Sequence, residues 1–353
     1  MKISTQLTKF IKSDKSFFIL LIGLACFMFS ALTNDKTSIC CNESYSVNKQ
    51  NDKPQVKVAA AQILTGYDLE KNREKIINSI LEADKLGCEI ILFHEGCLTG
   101  YPGKDQLEKT NFEAVRKIEK EIRDLAGNIG IAVLLGSSGK AGNTFSNYIL
   151  VINEKGEVLG KYKKTWRAGE PHYEPGEGPV IFNAAGIECT VIICHDLRYP
   201  ELVRLGVAAG ARVVFIANNE SGITYEDKLL GYRSMQISRA TENMVYSVMC
   251  NSPANPDEIN AANQSHGNSK IVDPLGNVID EAKVFEERLV IATLRLSEAT
   301  GSPVTRTIGE NQGTEKIYGT PVEIPEYTKW IKDGLRLVKR LDGSEVEEYL
   351  KNK

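Results

Sequence analysis

A chain of 353 residues, 42% hydrophobic and 25% charged, is long enough to bury one large core or two ordinary ones without covalent staples. Its 43 Lys and Arg against 46 Asp and Glu leave a formal charge of only -3. With no polybasic block, this excludes a nucleic-acid binder, which needs a concentrated cationic face to displace counterions from the phosphate backbone.

Lys2, Lys9, Lys12 and Lys15 precede an uncharged apolar run from Phe17 to Leu32, the order of an export signal. Such a run rises only ~24 Å as a helix, short of a ~30 Å hydrocarbon core. Residues 1–33 therefore read as a signal peptide or, if uncleaved, an N-terminal anchor giving membrane attachment. Export to the periplasm, the exterior or the membrane face follows if the signal is used, and a cytoplasmic location otherwise. Residues 34–53 are a polar tether, in which Cys40 and Cys41 are suited to pairing between chains or carrying lipid. Cys88, Cys97, Cys189, Cys194 and Cys250 sit in or beside apolar runs, where most are expected to be buried free thiols.

From Val56, strand and helix patterns alternate. "VKVAAAQIL" is a strand; Asp68 then caps a helix with Ile76, Ile77, Ile80 and Leu81 on one face, stopped at Gly87. "EIILF" (Glu89–Phe93) is a short buried strand. A second helix carries Val115, Ile118, Ile122 and Leu125 and ends at Gly127, before the strand "IAVLLG" from Ile131. Helical crossovers imply that these strands are parallel. A hairpin follows around Glu154-Lys155-Gly156. Buried strands at Ile187–Cys194, Ala211–Ala217 and Met244–Cys250 are separated by helices at Glu201–Ala209 and Glu226–Glu242. A second hairpin turns at Asp273-Pro274-Leu275-Gly276, and a short amphipathic helix is expected from Tyr327 to Leu341.

Ligands in α/β sheets collect at strand carboxyl ends, which here carry His94 and Glu95, Lys163 and Lys164, Cys194, and Asn218 and Asn219. Cys194 and His195 are adjacent, but neighbours on an extended segment point to opposite faces, which argues against a direct dyad. His94, His172 and His266 remain as bases from elsewhere. No CxxC or HExxH supports a metal.

"LFHEGCLTGYP" (Leu92–Pro102), "GKYKKTW" (Gly160–Trp166) and "VIICHDLRYPE" (Val191–Glu201) resemble, in order, the three signature segments of the nitrilase superfamily of carbon-nitrogen hydrolases. The resemblance runs from about Val56 to Leu296, supported by Ser238–Asn251 and His266–Asp280. It implies an α/β fold, a four-layer α-β-β-α sandwich, with the hydrolase domain at residues 54–297. An extension at 298–353 would contact a neighbouring subunit of a homodimer or higher homo-oligomer. No cofactor and no metal are implied.

Carried over, the resemblance makes Glu95 the general base, Lys164 the electrostatic stabiliser and Cys194 the nucleophile. Glu170 becomes the supporting glutamate; Glu174 also precedes Pro175-Gly176, and Glu170 fits the family spacing better, although one residue close. Trp166-Arg167 departs from the family's His-Leu pair. A thiol of pKa ~8.5 needs such a base or cation to become a thiolate at neutral pH. Lys164 and the backbone N–H of His195 would form the oxyanion hole. Tyr101, Asn218 and Asn219 would contact substrate. Asp196 and Arg198 are expected to order the turn as an opposite-charge pair, and Arg239, Glu242 and Asn243 to brace the site. "CHDLRYPE" resembles the amidase-type form of the nucleophile segment rather than the Cys-Trp-Glu of true nitrilases. Hydrolysis of a small linear amide is therefore expected, with an N-carbamoyl amine or amino acid as the alternative substrate. A nitrilase, an acyltransferase or an inactive scaffold is less favoured: the chain has at most one span, and all three catalytic positions are filled.

Overall fold

Apolar strands connected by amphipathic helices build two sheets packed face to face. The computed structural model describes residues 53–220, 226–258, 265–305 and 325–351. The expected signal or anchor, the tether before Lys53, and Cys40 and Cys41 lie outside the described residues.

β1 (Gln55–Gln62), β2 (Ile90–Phe93) and β3 (Ala132–Ala141) are parallel, and β4 (Thr144–Ile152) and β5 (Val158–Lys163) extend the sheet antiparallel. The second sheet contains β6 (Val180–Ala184), the parallel trio β7 (Ile187–Ile193), β8 (Val213–Asn218) and β9 (Tyr246–Asn251), and the hairpin β10 (Lys270–Val272) and β11 (Val278–Glu281). β12 (Arg288–Arg295) returns antiparallel to β1, and β13 (Lys339–Leu341) adds to β6 in parallel. The sheet orders are β12-β1-β2-β3-β4-β5 and β11-β10-β9-β8-β7-β6-β13.

Val58, Ala60, Leu92 and Leu134 of the first sheet meet Val191, Ile193, Phe215 and Val248 of the second in one buried core. On the first sheet's other face, Ala59, Ala61, Ile91, Phe93 and Val133 pack under α1 (Leu69–Lys85) and α2 (Phe112–Ile129). α3 (Pro200–Ala208) and α4 (Glu226–Thr241) flank the second sheet, completing four layers. Burial on both faces explains why the strands read as unbroken apolar runs.

Asp68 caps α1 by accepting from the backbone N–H groups of Glu70 and Lys71, but the buried face is rotated from the expected one. It comprises Asn72, Ile76, Ser79, Ile80 and Ala83, leaving Leu81 44% exposed. Asn72 takes the place of an apolar residue because its amide donates to the carbonyls of Gly66 (2.7 Å) and Leu98 (2.9 Å), joining two loops. α2 does not stop at Gly127; it runs to a left-handed cap at Gly130. Gly127 is instead the point where the helix meets Gly156 of the β4–β5 hairpin, with room for hydrogen only.

The late helix also ends earlier than expected. α5 (Pro325–Gly334) stops well short of Leu341; one 3-10 turn follows, and the chain then extends as β13, pairing Lys339 with Val180 and Leu341 with Phe182. Beyond it, Lys161 on β5 binds Glu347 (2.7 Å), Tyr349 donates to Glu119 (2.7 Å), and Arg123 of α2 donates to the Leu350 carbonyl (2.8 Å). Cys88, Cys97, Cys189, Cys194 and Cys250 are buried free thiols. No helix among the described residues is long and apolar enough to cross a membrane.

Gly127→Ala would ordinarily stabilise a helix interior by ~1 kcal/mol. Here the new Cβ would lie 2.8 Å from the Lys155 carbonyl oxygen and 3.0 Å from the Gly156 Cα. Urea unfolding is expected to show destabilisation of about 1–3 kcal/mol instead; a more stable variant would refute the close-approach explanation.

Candidate active site

Carboxyl ends of the parallel strands in both sheets converge on one polar cluster. Glu95 follows β2, and its backbone N–H donates to the Asn218 carbonyl at 3.2 Å, linking the sheets. Its side chain is fully buried. Oε1 accepts from Lys164 Nζ (2.8 Å) and Asn147 Nδ2 (2.7 Å), and Oε2 from the Asn219 backbone N–H (3.1 Å).

Lys164 follows β5 and is 2% exposed. Besides Glu95, its ammonium reaches Glu170 Oε1 at 2.8 Å and Tyr101 OH at 3.4 Å, with the Tyr101 ring centroid 5.5 Å away. Burial alone would lower the Lys164 pKa, but the charge of Glu95 and its neighbours outweighs it and raises the pKa. Burial, followed by the charge of Glu95, pushes Glu170 up to about 7. Glu174 lies apart, 4.0 Å from the half-exposed Lys163.

Cys194 directly follows β7 with a positive φ of 47°, a strained conformation for a side-chain-bearing residue. Its thiol donates to Glu220 Oε1 at 3.2 Å. Burial, then Glu220 and Glu95, hold the thiol pKa well above its ordinary value, while Lys164 pulls it down. The resting sulfur is therefore a neutral thiol.

The turn after Cys194 is held by Asp196, which accepts from the backbone of Ile193 (3.1 Å) and Trp166 (2.7 Å) and from Tyr162 OH (2.7 Å). Burial raises this carboxyl to about 6, against the pull of those donors. Asp196 thus joins the nucleophile turn to the lysine loop and does not pair with Arg198, contrary to expectation. The exposed Arg198 donates instead to Tyr232 OH at 3.2 Å. Arg239 binds Glu242 (2.9 Å) and the Leu197 carbonyl (2.8 Å), and Asn243 donates to the Arg239 carbonyl (2.9 Å), so the end of α4 braces the same turn.

The His195 ring lies edge-on to Tyr199 at 5.8 Å. His94 sits between the carbonyls of Ile63 (3.1 Å) and Glu95 (3.0 Å), His172 lies against Tyr173, and His266 lies near Asn251. The Asn218 amide rests on the Met249 sulfur at 3.2 Å, while Asn219 contributes its backbone. Sequence reasoning missed Asn147 and Glu220. Asn147 looks like any polar strand residue, whereas Glu220 directly follows the Asn218-Asn219 pair at the end of β8. Among the described residues, no cluster of three His, Cys, Asp or Glu is disposed to hold a metal. A cleft of about 620 Å³ lies between β5 and β13 and is lined by none of Glu95, Lys164 and Cys194.

The carbon-nitrogen hydrolase family model matches residues 57–303. The chain is similar to the glutamine-dependent NAD(+) synthetases of Thermotoga maritima (27% identical over 65% of this chain) and Aquifex aeolicus (30% over 66%), spanning about two fifths of their length, 40% and 41%. It is also similar to the 2-oxoglutaramate amidase of Bacillus subtilis, at 26% identity over 69% of this chain and 92% of that protein. Among solved structures, an amidase of the nitrilase superfamily from Nesterenkonia AN1 superposes with a TM-score of 0.62 at 24% identity, covering 70% of this chain and 94% of the other. The chain belongs to the carbon-nitrogen hydrolase family.

Folded Glu170 keeps its proton up to about pH 7, whereas an unfolded glutamate loses it near ~4.3. The folded state thus binds the proton more tightly, and this contribution to stability is lost as pH rises through that window. Glu170→Gln should remove the slope, so that the variant gains on the wild type in urea midpoint between about pH 5 and about pH 8. A difference independent of pH would contradict a raised Glu170.

Proposed function

We propose that the protein hydrolyses a small linear amide to the acid and ammonia through a thioester on Cys194. The observation that carries this reading is the buried ammonium of Lys164, held 2.8 Å from both Glu95 and Glu170 and acting electrostatically on the Cys194 thiol. Cation, base and nucleophile of an acyl transfer thus share one water-poor site. The nucleophile segment, Cys194-His195-Asp196 in place of the Cys-Trp-Glu of true nitrilases, favours an amide over a nitrile.

In the proposed cycle, Glu95 takes the Cys194 proton as the sulfur bonds to the carbonyl carbon. The oxyanion is met by the Lys164 ammonium and the His195 backbone N–H; one preorganised donor of this kind contributes ~3–4 kcal/mol. Glu95 then gives its proton to the departing nitrogen, and the carbon–nitrogen bond breaks to leave the thioester. Water passes a proton to Glu95 and its hydroxide to the thioester carbon, and the sulfur regains a proton as the acid leaves. Glu95 is assigned these transfers because Lys164, bound to it, meets the same carbonyl oxygen. Glu170 holds the second face of that ammonium and helps to orient the water.

Ammonia release should be measured across simple amides, N-carbamoyl amino acids and nitriles. Amides are expected to be turned over, Cys194→Ala to be inactive, and Glu95→Gln to lose about 10²–10⁴ in rate. His195→Tyr should keep most activity, since only its backbone takes part. Release from N-carbamoyl substrates alone would shift the assignment to the ureido class, and release from none would sink it.

A further inference from the structure

The scheme above leaves one carboxylate of the site without a task. Glu220 is 2% exposed and touches the reacting sulfur, with Oε1 3.2 Å from Cys194 Sγ. It is rigidly placed: its backbone N–H donates to Asn251 Oδ1 at 3.0 Å, and Asn251 is fixed by the Gly267 carbonyl (2.8 Å) and the Ser265 hydroxyl (3.0 Å). The Tyr232 hydroxyl, which receives the Arg198 guanidinium, also bonds to Glu220.

Two consequences follow from that position. Because thiol and carboxylate are in contact, any acyl group in attack position on Sγ must lie beside Glu220. Its negative charge also opposes formation of the thiolate; the exposed Arg198 guanidinium, which acts on it from beyond Tyr232, offsets part of that charge, and a cation carried by the substrate would offset more. Lys164 favours the thiolate from the other side of the site, where it is held by Glu95 and Glu170.

We propose that Glu220 selects the substrate by receiving a protonated amine, amidinium or guanidinium carried within a few bonds of the scissile carbonyl, making cationic amides the preferred class. This rests on the amidase reading of the same site. Such a substrate neutralises Glu220 as it binds, easing ionisation of the thiol at the moment the carbonyl is in place. An amide bearing a carboxylate in the same position meets repulsion.

The test compares matched amides: β-alaninamide with propionamide, γ-aminobutyramide with butyramide, and succinamate as the anionic member. The intact protein is expected to prefer the cationic member of each pair by about 10- to 100-fold in kcat/KM, the worth of a hydrogen bond to a charged group. That ratio should fall towards one in Glu220→Gln and persist in Glu220→Asp, which keeps the charge. Affinities of the same amides for Cys194→Ala, measured by calorimetry, should show the same order. No cationic preference in the intact protein would overturn the proposal. So would a ratio that survives Glu220→Gln while both rates fall together, since Glu220 would then be the thiol's proton acceptor. If no amide is turned over by any form, the amidase reading fails, while the calorimetric comparison still decides whether Glu220 selects cations.

Discussion

Burying the Lys164 ammonium between two carboxylates constrains everything around it. Removing a charge from water costs several kcal/mol even after relaxation, and a buried pair is tolerated only when its remaining valences are satisfied. Here the donors come from separate parts of the chain: Asn147 of β4, the Asn219 backbone beyond β8, and the Ala168 backbone in the lysine loop. Sheet order, loop path and the contact between sheets must all be correct for these charges to be satisfied together. The elevated pKa of Glu170 limits the accumulated negative charge, since near neutral pH it carries its charge only part of the time.

The second constraint is the turn at Cys194. A left-handed backbone at a non-glycine residue persists only when its surroundings over-determine it. Asp196 does this from inside by collecting donors from Ile193 before the turn and Trp166 in the lysine loop, and Arg239 does it from outside by gripping the Leu197 carbonyl. The nucleophile is thus fixed by hydrogen bonds to backbone, which leaves its side chain to respond to the charges facing it.

The strands and the strand-end positions of Glu95 and Cys194 were legible because doubly buried strands leave continuous apolar runs, and a polar residue at their end stands out; Lys164 follows the half-buried, lysine-bearing β5 and was told from Lys163 only by the family resemblance. What escaped depends on contacts distant in sequence. The α1 face was misplaced because Asn72 and Ser79 occupy buried positions that periodicity assigns to apolar residues. Gly127 looked like a helix stop because close approach to Gly156 leaves no local sign. Asp196 and Arg198 looked like a pair because they are neighbours, yet outside the turn Asp196 bonds to Trp166 and Tyr162, 30 and 34 residues upstream. Glu220 passed unnoticed because a carboxylate after a strand reads as the chain returning to water. β13 was taken for helix because pairing with β6 bridges more than 150 residues, which no local pattern records.

The last described residues do more than add a strand. β13 covers β6, Glu347 and Tyr349 lie against Lys161 of β5, and Leu350 is held by α2, so one segment spans the same side of both sheets. An uncovered strand offers a row of unpaired N–H and C=O groups to any other chain. The C-terminal segment therefore acts as a built-in guard against edge-to-edge aggregation. Without it, the edge of β6 would stand open to pairing with another chain.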